Sequence, residues 1–486
     1  MYTFTYNKER YDEQNLDKRE ILHLILKHKE DAERIKTSID YYLGKHAILH
    51  RTKKSKQANN KLLFNHAKDI SDTASGYFLA NPISFKTNSK EMSLDTLTDA
   101  FDLANTDDVD QDNALDMSRA GVAFEYVYVK EGQSYPVCRN LEPMNTFIVY
   151  DDTIEQEPLF AVYYYAKKDD ANDKLSYVAT VCTKNYRYVL NIIGDTSVNQ
   201  MVTEEPEPHH LGDIPIIEYR NNKDCIGDFE QQISLIDAYN TLMSDRINDK
   251  EQFLEALLVL YGSILGDDED EVQEALKTLR DNGFLELPAG AKAEYITRTF
   301  DEAGIEVLKK ALKDDIYSLS HVPNLTDQNF VGNSSGVAME YKLLGLEMIT
   351  RTKERYYTKG LKKRIQLFCN FLGLKAIALN PAAIMPTYTR GLPKNLLELS
   401  QMIANLKGSV STRTLIGELG FVEDPDGEIE AVREENKEAV KTQQMLFQAG
   451  VNTPPENESP EDDEEVDDDE NKENHAKIVA SHSKGD

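Results

Sequence analysis

The sequence predicts an α+β fold that is predominantly helical, and three observations carry that reading. From about residue 17 to 120, and again from 228 onward, apolar residues recur at three- and four-residue steps, the period of a helix buried on one face. Between 122 and 191 the pattern changes to short runs in which aromatic and β-branched residues alternate, as on strands. Finally, a proline-free stretch from Ser334 to Leu372 is written in strong helix formers. At about 1.5 Å per residue it would span roughly 58 Å, well beyond an ordinary globular helix.

In chain order, a helix is expected from Asp17 to Tyr42 through Ile21, Leu24, Ile25 and Ile35, and a second from Asn60 to Leu79, closed by Asn81 and Pro82. Residues 91–120 read as one or two amphipathic helices interrupted by the acidic NTDDVDQD. Strands follow at 122–129, 146–150, 159–166, 177–182 and 186–191. Beyond a TEEPEPHH linker and DIPIIEY, a helix from Asp228 to Leu260 carries Ile233, Ile236, Tyr239, Met243, Ile247, Leu254 and Leu257 on one stripe. A compact insertion comes next: a short helix in DDEDEVQEALKTLR with acids at its positive end, a strand in FLEL, a PAG turn and a strand in AEYIT. The helix from Asp301 to Ser320 then returns, so two helices flank a knob.

In the long stretch, Val337, Tyr341, Leu344, Met348 and Tyr356 mark one buried stripe. It resumes one residue out of register as Leu361, Ile365, Phe368 and Leu372, and Gly360 at that slip predicts a kink. The other face is basic, with Lys342, Arg351, Lys353, Arg355, Lys359, Lys362, Lys363 and Arg364 expected in solvent. Short helices at 396–407, 411–419 and 426–447 follow, the first opened by a capping pair of Asn395 and Glu398. From Val451 the chain is too acidic and polar to fold.

With 486 residues the chain is long enough for two to four packed units. Its 85 acidic residues against 55 basic ones give a net charge of −30, which argues against gripping phosphate backbones over the whole surface. Four scattered cysteines, without ligand spacing, read as buried thiols of a reducing compartment. No apolar run is long enough for a membrane span, and the N-terminus has no apolar signal core, so no membrane partner is expected. The chain carries no phosphate-loop motif, no HExxH, no GxSxG and no EF-hand loop, and His209 beside His210 would diverge on an extended linker. No catalytic residue, metal or cofactor is therefore expected. Paired acids such as Asp151 and Asp152 read as solvated.

The ordered series NKLLFNHAKDISDTASGYFLANPISF, GVAFEYVYV, PMNTFIVYDD, IPIIEYRNN, DFEQQISLIDAYNTLMSD, GNSSGVAMEYKLLGLE and LPKNLLELSQMIANLKGSVSTRTLIGEL resembles the portal, or head-to-tail connector, proteins of tailed bacteriophages. The likeness is to the type found in long-tailed phages of Gram-positive bacteria and covers residues 20–440. It implies a dodecameric ring at one capsid vertex of the virion, assembled in the host cytoplasm. Double-stranded DNA would pass through that ring, pumped by a terminase. Major capsid, scaffolding and head-tail connector proteins would dock on it.

The resemblance divides the chain into an N-terminal wing (1–227), stem helix 1 (228–260), clip (261–300), stem helix 2 (301–320), tunnel loop (321–336), long kinked wing helix and linker (337–393), helical crown (394–447) and acidic tail (448–486). It implies weak phosphate contacts from Lys309, Lys310 and Lys313 in the stem, where tight binding would stall sliding DNA. Asn324, Gln328, Asn329, Gly332, Asn333 and Gly336 take the tunnel-loop place, and Asp267, Asp268, Arg280, Phe284 and Tyr295 the clip surface for terminase and connectors. Two other readings are a packaging ATPase, which the missing phosphate loop opposes, and a rod-like scaffolding protein, which the β-rich section and folded insertion oppose.

Overall fold

A computed structural model describes residues 3–53, 58–89, 92–168, 175–193, 201–203, 205–253, 257–261, 268–282, 290, 292–296, 302–325, 336–391, 396–417, 419, 422 and 425–450. The chain forms two compact units, Met1–Pro393 and Lys394–Asp486.

The first unit opens with strand β1 (Phe4–Tyr6) and helix α1 (Lys18–Tyr42), whose first turn is capped by the Asp17 carboxylate accepting from the Arg19 amide. Helix α2 (His66–Leu79) starts six residues later than expected, because residues 59–64 run extended instead. Strand β2 (Ser84–Thr87), helix α3 (Asp95–Leu103) and helix α4 (Thr106–Ala120) follow. The interruption expected at the acidic NTDDVDQD segment is confined to its first residue. The break falls at Asn105, in a left-handed conformation, and the acids Asp107 and Asp108 occupy the first turn of α4, where the helix dipole favours them.

Strands β3 (Val122–Tyr128), β4 (Val137–Leu141), β5 (Thr146–Asp151), β6 (Pro158–Lys168), β7 (Leu175–Cys182), β8 (Tyr186–Ile193), β9 (Met201–Thr203), β10 (Glu207–Pro208) and β11 (Ile216–Arg220) make two sheets. The larger has the order β1-β5-β6-β7-β8-β10 with β9 also on β8, and β1 joins it in parallel. The smaller is β11-β3-β4, antiparallel throughout. All four cysteines are buried thiols, as expected. Asp151 is not solvated as expected: it is buried and holds the β5–β6 turn by accepting from Thr153 and from the Glu157 amide.

Helix α5 (Ile233–Phe253) is shorter than the span 228–260 read from the sequence. Its expected last turn is strand β12 (Leu257–Tyr261), which pairs with β13 (Lys292–Ile296) on the far side of helix α6 (Glu269–Asn282). The β-branched and leucine-rich LLVLY suits either state, and the available strand partner decides it. Helix α7 (Glu302–Ser320) then packs back against α5.

Helix α8 (Gly336–Leu374) is the longest element, at 39 residues. Its N-terminal half joins a core formed with α2, α5 and α7 through Leu343 and Leu346, and its C-terminal half joins a second core with α3, α4 and β3 through Tyr357, Leu361, Ile365, Phe368 and Leu372. The helical period was read correctly, but its phase in the first half was not. Leu343, Leu346, Thr350, Lys353 and Tyr357 are buried, whereas of the expected stripe Tyr341, Leu344 and Met348 are exposed, Tyr356 is half-buried and the Val337 side chain lies outside the described residues. The buried positions then continue without a register slip through Leu361, Arg364, Phe368 and Leu372. Gly360 meets a different need: a Cβ there would come within 2.5 Å of the Tyr219 ring, so only glycine lets α8 approach β11. Strand β14 (Ile384–Thr387) pairs with β2 and closes the unit.

The second unit holds helices α9 (Leu396–Leu406), α10 (Thr412–Gly417) and α11 (Pro425–Gly450), close to the expected spans. Asn395, half of the expected capping pair, and the tail from Val451 lie outside the described residues.

Candidate stem, clip and loop sites

Helices α5 and α7, the expected stem, are held to each other by charge. Arg246 on α5 reaches Glu302 at 2.7 Å and Glu306 at 2.5 Å on α7, Lys250 reaches Glu302 at 3.0 Å, and Lys309 reaches Glu306 at 3.3 Å. Single exposed pairs are worth little, but one arginine shared by two carboxylates a helical turn apart fixes how α7 sits on α5.

On another face, α5 carries the buried polar residues Asn240, Ser244 and Asn248 at four-residue spacing. Their side-chain oxygens accept from the backbone amides of Phe64 (2.8 Å), Leu62 (3.0 Å) and Asn60 (2.7 Å). Four residues of helix advance about 6 Å and two residues of extended chain about 6.6 Å, so the two ladders match. Arg51 and Lys53 complete this strap by sharing Asp245, at 2.9 and 2.8 Å. His46 donates from Nε2 to the Tyr41 carbonyl, which leaves Nδ1 to accept from the Asn240 amide.

The stem lysines expected to face DNA are not equivalent. Lys310 is exposed, Lys309 is half-buried and paired with Glu306, and Lys313 is half-buried. Burial, with the Lys313 charge second, lowers His66 to about 4. In the loop, Asn324 is half-buried and Gly336 opens α8, while Gln328, Asn329, Gly332 and Asn333 lie outside the described residues. In the expected clip, Asp268 is exposed and accepts from the Glu271 amide at 2.9 Å, capping α6. Arg280 sits on α6 and Tyr295 on β13, opposite Leu258. Asp267 and Phe284 lie outside the described residues. His209 is not an exposed linker residue: it is half-buried and joins the Thr183 carbonyl at 3.1 Å.

Sequence reasoning missed the anchors of α8. Lys353 and Arg364, expected on the solvated basic face, are both buried. Lys353 pairs with Asp228, whose carboxylate also accepts from Asn221 at 2.9 Å and from Ser118. Arg364 meets Glu125 through Nε at 2.8 Å and also pairs with Asp110. Tyr219 donates to Glu125 at 2.7 Å, and Tyr357 donates to Asp110. Burial raises the Asp110 carboxyl above its ordinary value despite Arg364, and burial pushes the phenols of Tyr219 and Tyr357 far up, keeping them as donors. The legible signal was Glu125, an acid in the middle of the otherwise apolar GVAFEYVYV, since such an acid demands a buried cation.

A family model described as "Phage portal protein, SPP1 Gp6-like" matches residues 21–442. The chain is 23% identical over 407 residues to the portal protein of Bacillus phage SPP1, covering 80% of this chain and 79% of that one. It is also 23% identical over 403 residues to the portal protein of Clostridium phage phiCD119, covering 79% and 86%. Among solved structures, a chain from the neck of an empty gene transfer agent particle aligns with a TM-score of 0.44 at 12% identity, over 73% of this chain and 90% of that one.

Proposed function

The chain belongs to the SPP1 Gp6-like family of phage portal proteins, and from that premise we propose that it closes into a dodecameric ring at one vertex of the capsid. The ring is the channel through which double-stranded DNA enters and leaves the head, and it is the docking site for terminase during packaging and for head-tail connector proteins afterwards. The segments act as wing (1–227), stem (233–253 and 302–320), clip between them, tunnel loop (321–336), long wing helix, and crown (394–447).

The observation that carries this reading is the stem. Two helices clasped by Arg246, Glu302 and Glu306 present a small α/β insertion at one end and lead into the loop and the longest helix at the other. Such a unit is a strut rather than a pocket. With Lys309 paired to its own helix, exposed Lys310 and half-buried Lys313 are the stem lysines that touch passing phosphates, and such weak contacts suit sliding better than a grip.

Light scattering followed by negative-stain imaging tests the ring: a closed particle with a central hole is expected, and a stable monomer that hydrolyses ATP overturns the reading. Replacing Gly332 and Gly336 with valine tests the loop. Assembly should persist while DNA-filled heads are lost, and normal filled heads from that variant would remove the tunnel-loop role.

A further inference from the structure

At the corner where α7 meets α8, large apolar side chains face outward. Leu319 is 60% exposed, Leu325 50%, Tyr341 75%, Leu344 52% and Met348 64%. The corner itself is close-packed, because a Cβ on Gly345 would stand 3.4 Å from the His321 side chain. Beside the stripe, Met348, Ile349, Thr352 and Gly345 line an open cleft of about 280 Å³ floored by the Lys353–Asp228 ion pair. A close-packed corner with an outward apolar stripe and a cleft has the form of half an interface.

Resting on the ring reading, we propose that this corner is one side of a head-to-tail seam, and that its occupant is a second copy of this chain. The contact comes from the junction between α1 and α2 of that copy. A cyclic ring joins unlike patches of neighbouring subunits, so a second apolar surface is required. The described residues provide one. Leu43 is 56% exposed, and Leu49 and Leu63 38% each, on the junction where a Cβ on Gly44 would meet the Leu63 side chain at 3.2 Å.

Charge matches the two patches. No acidic residue lies between Asp40 and Asp69; of the cations in that stretch Lys45 pairs with Asp40 and Lys68 with Asp72, while Lys61 is exposed and donates to the Leu49 carbonyl. Arg51 and Lys53 share one aspartate, Asp245, so the pair keeps a net positive charge. The corner instead displays three exposed acids, Asp314, Asp315 and Glu340, beside one exposed cation, Lys342. Identical chains of net charge −30 repel one another over most of their surface, and they meet most readily where this basic junction faces that acidic rim.

Cysteine cross-linking tests the pairing, since the native Cys138, Cys182, Cys225 and Cys369 are all buried. Full-length Leu344→Cys/Leu63→Cys protein, treated with a short bis-maleimide, should give a ladder of covalent species beyond the dimer. Each single variant should give none. Dimers from Leu344→Cys alone would mean that like patches meet, which overturns the head-to-tail seam. Imaged rings that yield no ladder overturn the pairing while the ring reading stands, and a wild-type chain that never assembles overturns both. A ladder abolished by added double-stranded DNA would reassign the basic junction to nucleic acid.

Discussion

The two halves of α8 obey the same period and differ in what their two faces do. In the C-terminal half the apolar stripe faces the core and the one cation on that stripe, Arg364, is answered by Asp110 and Glu125. In the N-terminal half large apolar residues lie on both faces: Met339, Leu343, Leu346 and Ile349 pack on the core together with Thr350 and Lys353, while Tyr341, Leu344 and Met348 face out. Hydrophobicity thus sets which residues must leave water, but not which partner removes them. A face that looks like core in one chain is core only where that chain supplies the opposing surface.

The sharpest way to break the comparison is Arg364→Ala. It leaves Asp110 and Glu125 buried without their cation, and chemical denaturation should show a loss of about 3–5 kcal/mol. Gly360→Val forces a side chain into the Tyr219 ring and should cost about 1–3 kcal/mol, read as a lower denaturation midpoint with an unchanged slope.

Acid should separate the halves. His66, which backs the N-terminal half beside Tyr239 and Tyr317, is lowered by burial from 6.5 to about 4. The unfolded chain therefore binds the proton more readily, so the contribution of neutral His66 is complete above pH 6.5 and lost as pH falls through 4. Hydrogen exchange should show α2 and the first half of α8 losing protection over that window by on the order of 2 kcal/mol, ahead of residues around Arg364. The smallest effect on folding is expected of Leu344→Ser. Monomer stability should stay within about 0.5 kcal/mol of wild type, while light scattering shows assembly lost.

Much of the architecture was legible because it depends on local pattern. The strands around Phe124 and in 159–166, the pair α5 and α7 with the insertion between them, and the long helix all announce themselves by period. What stayed hidden depends on partners far along the chain. LLVLY became β12 because β13 was there to pair with it, residues 59–64 stayed extended because Asn240, Ser244 and Asn248 offered acceptors, and Lys353 and Arg364 went inside because buried acids waited for them. Of the candidate functional residues, Lys309 and Asp268 have local duties in an ion pair and a helix cap, which sequence spacing alone did not separate from a role toward partners.

The Arg364 cluster also sets a timetable for making the protein. Arg364 lies 254 residues after Asp110 and 239 after Glu125. At about 5–20 residues per second, a ribosome has the two acids out for roughly 12–50 s before their cation is added. During that interval the half-formed core holds two carboxylates that water must keep solvated, so α4 and β3 cannot close over them. The core around α4 and β3 therefore cannot mature as an early, independent unit while the chain is still growing. The whole first unit must wait for its longest helix, and an interrupted synthesis that stops before residue 364 should yield an open product that proteases and chaperones recognise.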